Sequence, residues 1–185
     1  MKTAETSHPA REGPRLIVYT DGASRGNPGR SGAGVWITDE EGRKIAETGR
    51  YLGHRTNNEA EYQALLLGLR ESKRFRARTI RILMDSELIV RQVKGLYRVR
   101  DLNLRTLYKK VMDDLKEFSS FEIEFIPREQ NAEADRLANQ AIQRGIEKEK
   151  REESRRGTDG RSCHRSIQRD GAGEESPSST GQGGP

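Results

Sequence analysis

The chain has 185 residues, 31% of them hydrophobic and 34% charged, with a mean hydropathy of −0.95. That is too polar to bury a core along its whole length, so a folded domain followed by an unfolded segment is expected. No apolar run approaches the ~20 residues of a bilayer crossing, the N-terminus lacks a secretory apolar stretch, and the one cysteine, Cys163, excludes an internal disulfide. The expectation is therefore a soluble, cytoplasmic, monomeric protein with no membrane partner.

The net charge of +5 lies wholly in residues 1–146, because residues 147–185 hold eight basic and eight acidic side chains. A domain that keeps acids for a site yet stays net basic suits a phosphodiester substrate. Residues 1–14, polar and carrying two prolines, read as a flexible lead-in. Residues 15–146 read as the folded domain. Residues 147–185, which end in SPSSTGQGGP, read as a disordered charged Gly/Ser-rich tail whose first ten residues can extend a helix.

Inside the domain, Leu16–Thr20 is a β-rich apolar run suited to a central strand. Gly22–Ser31 is dense in Gly, Asn and Pro and reads as a loop. Ala33–Thr38 and Lys44–Tyr51 give two more strands around the turn Asp39–Gly42, forming an antiparallel meander. Thr56, Asn57 and Asn58 offer capping side chains to a long helix whose apolar positions include Ala60, Ala64 and Leu67. Ile80–Met84 is a fourth strand, Ser86–Lys94 a short helix and Leu102–Phe118 another helix. Phe121–Ile126 alternates apolar and acidic residues, as an edge strand does. A last helix runs from Ala132 to Arg144. The order βββαβααβα predicts an α/β fold, a mixed five-stranded sheet flanked by helices.

Asp21 and Asp85 follow directly on the first and fourth strands. Two parallel neighbouring strands would deliver both acids to one carboxyl edge, where open α/β sheets bind ligands. Glu61 and Asp135 are read in the first turns of two helices, where the local positive field offsets some of the crowding. Each acid alone is an ordinary turn or cap residue. Four together form a candidate metal site, and an all-oxygen set suits Mg²⁺.

The segments Thr20–Gly29, Thr56–Glu61, Asp85-Ser86 and Asn131–Asp135 together resemble the type 1 ribonuclease H family, in order and spacing, over nearly all of residues 15–146. The resemblance implies an endoribonuclease that hydrolyses the RNA strand of an RNA/DNA hybrid by a two-metal-ion mechanism, leaving 5′-phosphate and 3′-hydroxyl ends. It implies two Mg²⁺ per active site, with Mn²⁺ as a substitute, held by Asp21, Glu61, Asp85 and Asp135. Asp21 would bridge both ions, Asp135 would complete the site that activates the water, and Glu61 with Asp85 the site at the leaving oxygen. Asn27, Thr56, Asn57 and Asn58 match substrate-binding positions, Thr56 and Asn57 at a DNA-strand phosphate and Asn27 and Asn58 at the groove beside the RNA.

Two departures matter. Many family members carry a histidine in the loop before the last helix; here that loop is Pro127-Arg128-Glu129-Gln130, and His8, His54 and His164 all lie elsewhere. Arg128 is the residue placed to assist there, by charge and not as a general base. The basic protrusion of some members is reduced to Lys94–Asp101, leaving Arg98, Arg100, Lys109 and Lys110 for grip. This loop pattern resembles a subgroup that tolerates double-stranded RNA. The alternatives are accordingly a double-stranded-RNA-cleaving variant or a non-catalytic nucleic-acid-binding module on the same fold.

Overall fold

Residues of strand β1 (Arg15–Gly26) alternate between two faces, with Leu16, Val18 and Thr20 on one and Ile17, Tyr19 and Asp21 on the other. β1 pairs antiparallel with β2 (Gly29–Thr38) along its length, from Ile17↔Thr38 to Gly26↔Gly29. Its parallel pairing with β4 (Thr79–Met84) ends much sooner, at Tyr19↔Leu83. β3 (Lys44–Arg55) adds antiparallel to β2, and β5 (Ser120–Phe125) adds parallel to β4. The strand order is β3-β2-β1-β4-β5. This computed structural model describes residues 13–159, with side chains described to residue 155.

Four helices accompany the sheet: α1 (Asn57–Arg74), α2 (Glu87–Val93), α3 (Leu102–Leu115) and α4 (Ala132–Asp159), the last preceded by a 3₁₀ turn over Arg128–Gln130. The mixed five-stranded sheet and the order βββαβααβα are those expected from the sequence. α1 opens with a capping box: Thr56 accepts from the Glu59 amide, and the Glu59 carboxylate accepts from the Thr56 amide. The apolar side of α1, through Leu65 and Leu69, joins Val18, Val35, Ile80 and Ile82 in the core. α2 and α3 extend that core through Ile89, Val93, Val111 and Leu115. Each such side chain, fully buried, contributes about 1.5–3 kcal/mol.

On the other face of the sheet, α4 lies against glycines. A Cβ at Gly34 would sit 2.0 Å from the Ala134 carbonyl oxygen, and one at Gly32 would sit 2.4 Å from that of Ala138. The helix therefore comes closer than any side chain on the strand would permit. Because Gly34 is the register partner of Asp21, this close approach carries Asp135, the residue after Ala134, toward the first acid.

Two sequence expectations need correction. The Gly22–Ser31 segment is not a loop: β1 and β2 continue through it as a hairpin whose turn is confined to Asn27-Pro28, a cis peptide bond. Backbone pairing with the facing strand outweighs the weak strand propensity of its Gly and Ser residues. Glu61 is not in the first turn of α1, since the helix starts at Asn57 and Glu59 takes that place. The expected extension of the last helix into residues 147–156 is present, and α4 runs on to Asp159. Glu149 accepts from Arg30 Nε at 3.0 Å and from the Tyr51 hydroxyl at 2.7 Å, which anchors that stretch to β2 and β3.

The chain forms two units, Met1–Lys150 and Arg151–Pro185. In the second, the described part is the helical end of α4, exposed from Arg151 to Arg155. The predicted lead-in up to residue 12, and the predicted tail from residue 160 onward, lie outside the described residues. Among the described residues no helix is long and apolar enough to cross a membrane.

Candidate active site

Asp21 lies two residues past the last β1–β4 pair, and Asp85 is the residue after β4 ends. Both acids thus stand at the edge where β4 stops and β1 runs on with β2 alone. α1 brings Glu61 to the same place. Its Oε2 accepts from the Gly22 amide at 3.3 Å, and a Cβ at Gly22 would lie 2.1 Å from the Glu61 amide nitrogen. Only glycine allows β1 and α1 to touch there. The carboxylates of Asp21, Glu61 and Asp85 each offer an oxygen within 4.8 Å of the others.

Asp21 and Glu61 are buried and Asp85 is half-buried. Burial, then the negative charges of Asp85 and Asp135, push the Asp21 carboxyl up from 3.8 to about 7. Burial likewise raises Glu61 well above the usual carboxylate range, with Asp21 and Asp85 adding to it. The Arg128 guanidinium opposes both shifts. Three acids held this close and this dry need a cation to ionise together, and their all-oxygen donors fit a hard divalent ion.

Asp135, at the start of α4, is near enough to act on Asp21 electrostatically but stands outside the three-carboxylate cluster. Arg128 donates to its Oδ1, and Asn139 Nδ2 donates to its Oδ2 at 3.1 Å and to its main-chain carbonyl at 3.0 Å. Arg128 itself is exposed on the 3₁₀ turn. Of the four predicted acids, three are gathered and the fourth is held beside them by an arginine and an asparagine.

The four predicted substrate contacts also converge, at the junction of the β1–β2 turn with the start of α1. Asn27 Oδ1 accepts from the Asn57 amide at 3.2 Å. Asn27 and Asn57 are exposed, and Asn58 is half-buried in the first turn. Thr56 uses its hydroxyl and amide in the capping box. Sequence reasoning gave no role to Asn131 or Asn139. Asn131 stands just before a helix, where an asparagine reads as a cap, and Asn139 carries a signal only in its four-residue spacing from Asp135.

Comparison with known proteins follows the same outline. The family described as reverse transcriptase-like matches residues 19–141. The chain is 38% identical over 130 residues to a bifunctional protein of Mycobacterium tuberculosis, covering 69% of this chain and 35% of that one. It is 38% identical over 130 residues to the ribonuclease HI of Halobacterium salinarum, covering 70% of this chain and 65% of that one. The chain thus spans about a third of the first of these relatives and just under two thirds of the second. Among solved structures, LC11-RNase H1 in complex with an RNA/DNA hybrid is 42% identical, with a TM-score of 0.68 over 71% of this chain and 99% of that one.

Proposed function

The chain belongs to the type 1 ribonuclease H family, and on that footing we propose that it is a metal-dependent endoribonuclease that hydrolyses the RNA strand of an RNA/DNA hybrid. The observation that carries this reading is the meeting of Asp21, Glu61 and Asp85 within 4.8 Å at the sheet edge, with Asp135 alongside. In this reading Asp21, Glu61, Asp85 and Asp135 would hold two Mg²⁺, Asp135 serving the attacking water, Glu61 with Asp85 the departing oxygen, and Asp21 both. When bound, two such ions would neutralise the charge gathering on the phosphate and favour ionisation of the attacking water, giving 5′-phosphate and 3′-hydroxyl ends.

The remaining residues hold the duplex. Asn27 and Asn58 offer both donors and acceptors to the shallow groove in which an RNA strand displays its 2′-hydroxyls. The exposed Asn57 side chain, at the positive end of α1, receives a backbone phosphate of the DNA strand, while Thr56 shapes that helix start as its cap. Arg128 keeps its charge at any working pH, so it attracts phosphate without acting as a base.

The test is cleavage of one labelled strand presented as a hybrid, as duplex RNA and as single-stranded RNA, each with Mg²⁺, with Mn²⁺ and with chelator. Metal-dependent cutting of the hybrid RNA alone is the expected result. Cutting of both duplexes would extend the substrate to double-stranded RNA. Tight binding of the hybrid by folded protein with no cutting in any metal would overturn the enzymatic reading in favour of a binding module.

A further inference from the structure

Asn131 is 1% exposed and sits just ahead of α4, the position where an asparagine ordinarily caps a helix with its side-chain oxygen. It does not do that here. Its side chain turns inward: Nδ2 donates to the main-chain carbonyl of Thr20 at 3.0 Å and to Oδ1 of Asp85 at 2.7 Å. Its main-chain carbonyl accepts from the Asp135 amide at 3.1 Å. One residue therefore joins β1 immediately before Asp21, the exit of β4 at Asp85, and the helix start that carries Asp135.

We propose that Asn131 is a positioning residue that fixes the spacing of Asp21, Asp85 and Asp135 before any cation arrives. This rests on the metal-site reading above. The chemistry of the contact selects the residue. The two atoms facing Nδ2, the Thr20 carbonyl oxygen and Asp85 Oδ1, both accept from it, so the side chain must present two hydrogens from one small atom, which a primary amide does. The amide oxygen is left buried without a hydrogen-bond partner. Turning the amide over would aim that oxygen at a carbonyl and a carboxylate, so the unpartnered oxygen is the cost of the double donation. A serine offers one hydrogen, an alanine none, and an aspartate a third oxygen facing two others. The bond to Asp85 restrains the last torsion of that side chain. A restrained ligand loses less freedom on taking up a cation, and that is the effect ascribed to Asn131.

The test uses the full-length protein with Asn131→Ala and Asn131→Ser. Mg²⁺ and Mn²⁺ are titrated calorimetrically without substrate, and kcat and KM for a hybrid are measured across metal concentration. Asn131→Ala is expected to weaken cation binding at least tenfold, with KM for the hybrid changed less than twofold and kcat largely regained at high metal. Asn131→Ser, which keeps one donor, should fall between Asn131→Ala and the unaltered protein. A melting curve in chelator checks that each variant is folded, and if Asn131→Ala is not, the serine variant decides. Cation binding by a folded variant within twofold of the unaltered protein would overturn the inference. Failure of the unaltered protein to bind either cation would overturn the metal-site reading itself, and this inference with it.

Discussion

Arg128 donates a hydrogen bond to Asp135 across seven residues, so the fourth acid of the site is paired with a fixed positive charge. The guanidinium also opposes the upward shifts of Asp21 and Glu61, and so serves as a built-in counter-ion to the whole carboxylate group. A divalent cation that uses Asp135 must compete with it. With the arginine side chain 72% exposed, such a pair is worth about 0.2–1 kcal/mol. Arg128→Ala is therefore expected to tighten Mg²⁺ binding by up to about five-fold, read by calorimetric titration without substrate. Weaker binding in the variant would mean that Arg128 organises Asp135 for the metal and does not compete for it.

Asp21 is the most crowded of the acids, and crowding has a stability consequence that can be measured apart from catalysis. Above about pH 7, where the Asp21 carboxyl is ionised in the folded protein, Asp21→Asn removes one negative charge from a buried cluster and keeps the side chain's shape. Cleavage of the hybrid should be abolished, while the protein in chelator gains roughly 0.5–2 kcal/mol, as happens when functional strain is relieved. In a domain of this size that is a rise of several degrees in Tm, on the order of 2–4 °C per kcal/mol. A variant that melts lower than the parent in chelator would contradict the electrostatic reading of the site.

The same crowding predicts a pH dependence. The Asp21 carboxyl ionises near 3.8 when unfolded and at about 7 in the folded protein. Between those values the native state keeps a proton that the unfolded chain has lost, so stability falls as pH rises through that window and levels off above it. Glu61, also raised, acts in the same direction. In chelator the melting temperature should therefore drop from pH 5 to pH 7.5. Saturating Mg²⁺ should restore most of the loss, since ligand at a hundred times its Kd adds about 2.7 kcal/mol. A melting temperature flat in pH, with and without metal, would remove the basis for the shift.

Much of this arrangement is legible from the sequence. Leu16–Thr20 and Ile80–Met84 announce two β-rich runs, each followed at once by an aspartate, and these are the strands that pair in parallel. The hairpin beyond Asp21 is not legible, because Gly22–Ser31 is held as strand by its pairing partner and not by its own propensity. The reach of α4 is only half legible: a charged segment reads as solvated tail until Glu149 is seen to meet Arg30 and Tyr51. Asn131 illustrates the limit more sharply. Its identity suggests a cap, and only the packing of three elements around it shows the side chain pointing elsewhere. The pairing of Asp135 with Arg128 and Asn139 is equally a matter of local geometry at the start of α4.

The Glu149 contacts separate two truncations. Ending the chain after Asp159 removes neither Glu149 nor any described part of the fold, and hybrid cleavage and melting temperature should both stay near those of the full chain. Ending it after Ile146 removes a carboxylate that accepts from Arg30 and Tyr51 on neighbouring strands. With both contacts gone the shorter chain should melt lower than the longer one while still cutting the hybrid. Equal stability of the two truncations would show that the C-terminal turns of α4 contribute nothing to the domain.

The contact of β1 with α1 gives the sharpest contrast, because two glycines of the chain are needed for different reasons. A Cβ at Gly22 would lie 2.1 Å from the Glu61 amide nitrogen and 2.2 Å from the Ala60 carbonyl carbon, both backbone atoms that cannot swing aside. At Gly53 a Cβ would meet nothing within 4 Å, but the backbone has φ +70°. Gly53→Ala should cost about 1–2 kcal/mol from the left-handed conformation alone, with turnover of the remaining folded protein unchanged. Gly22→Ala must push α1 off β1, at a cost of about 1–3 kcal/mol or more, and it moves Glu61 away from Asp21 and Asp85 as it does so. Turnover of folded Gly22→Ala protein should then fall at least a hundred-fold, the order expected for a displacement of about 1 Å in a catalytic group. Its cation binding should weaken in parallel. If Gly22→Ala proves merely unstable, with full turnover per folded molecule, the placement of Glu61 does not depend on this contact.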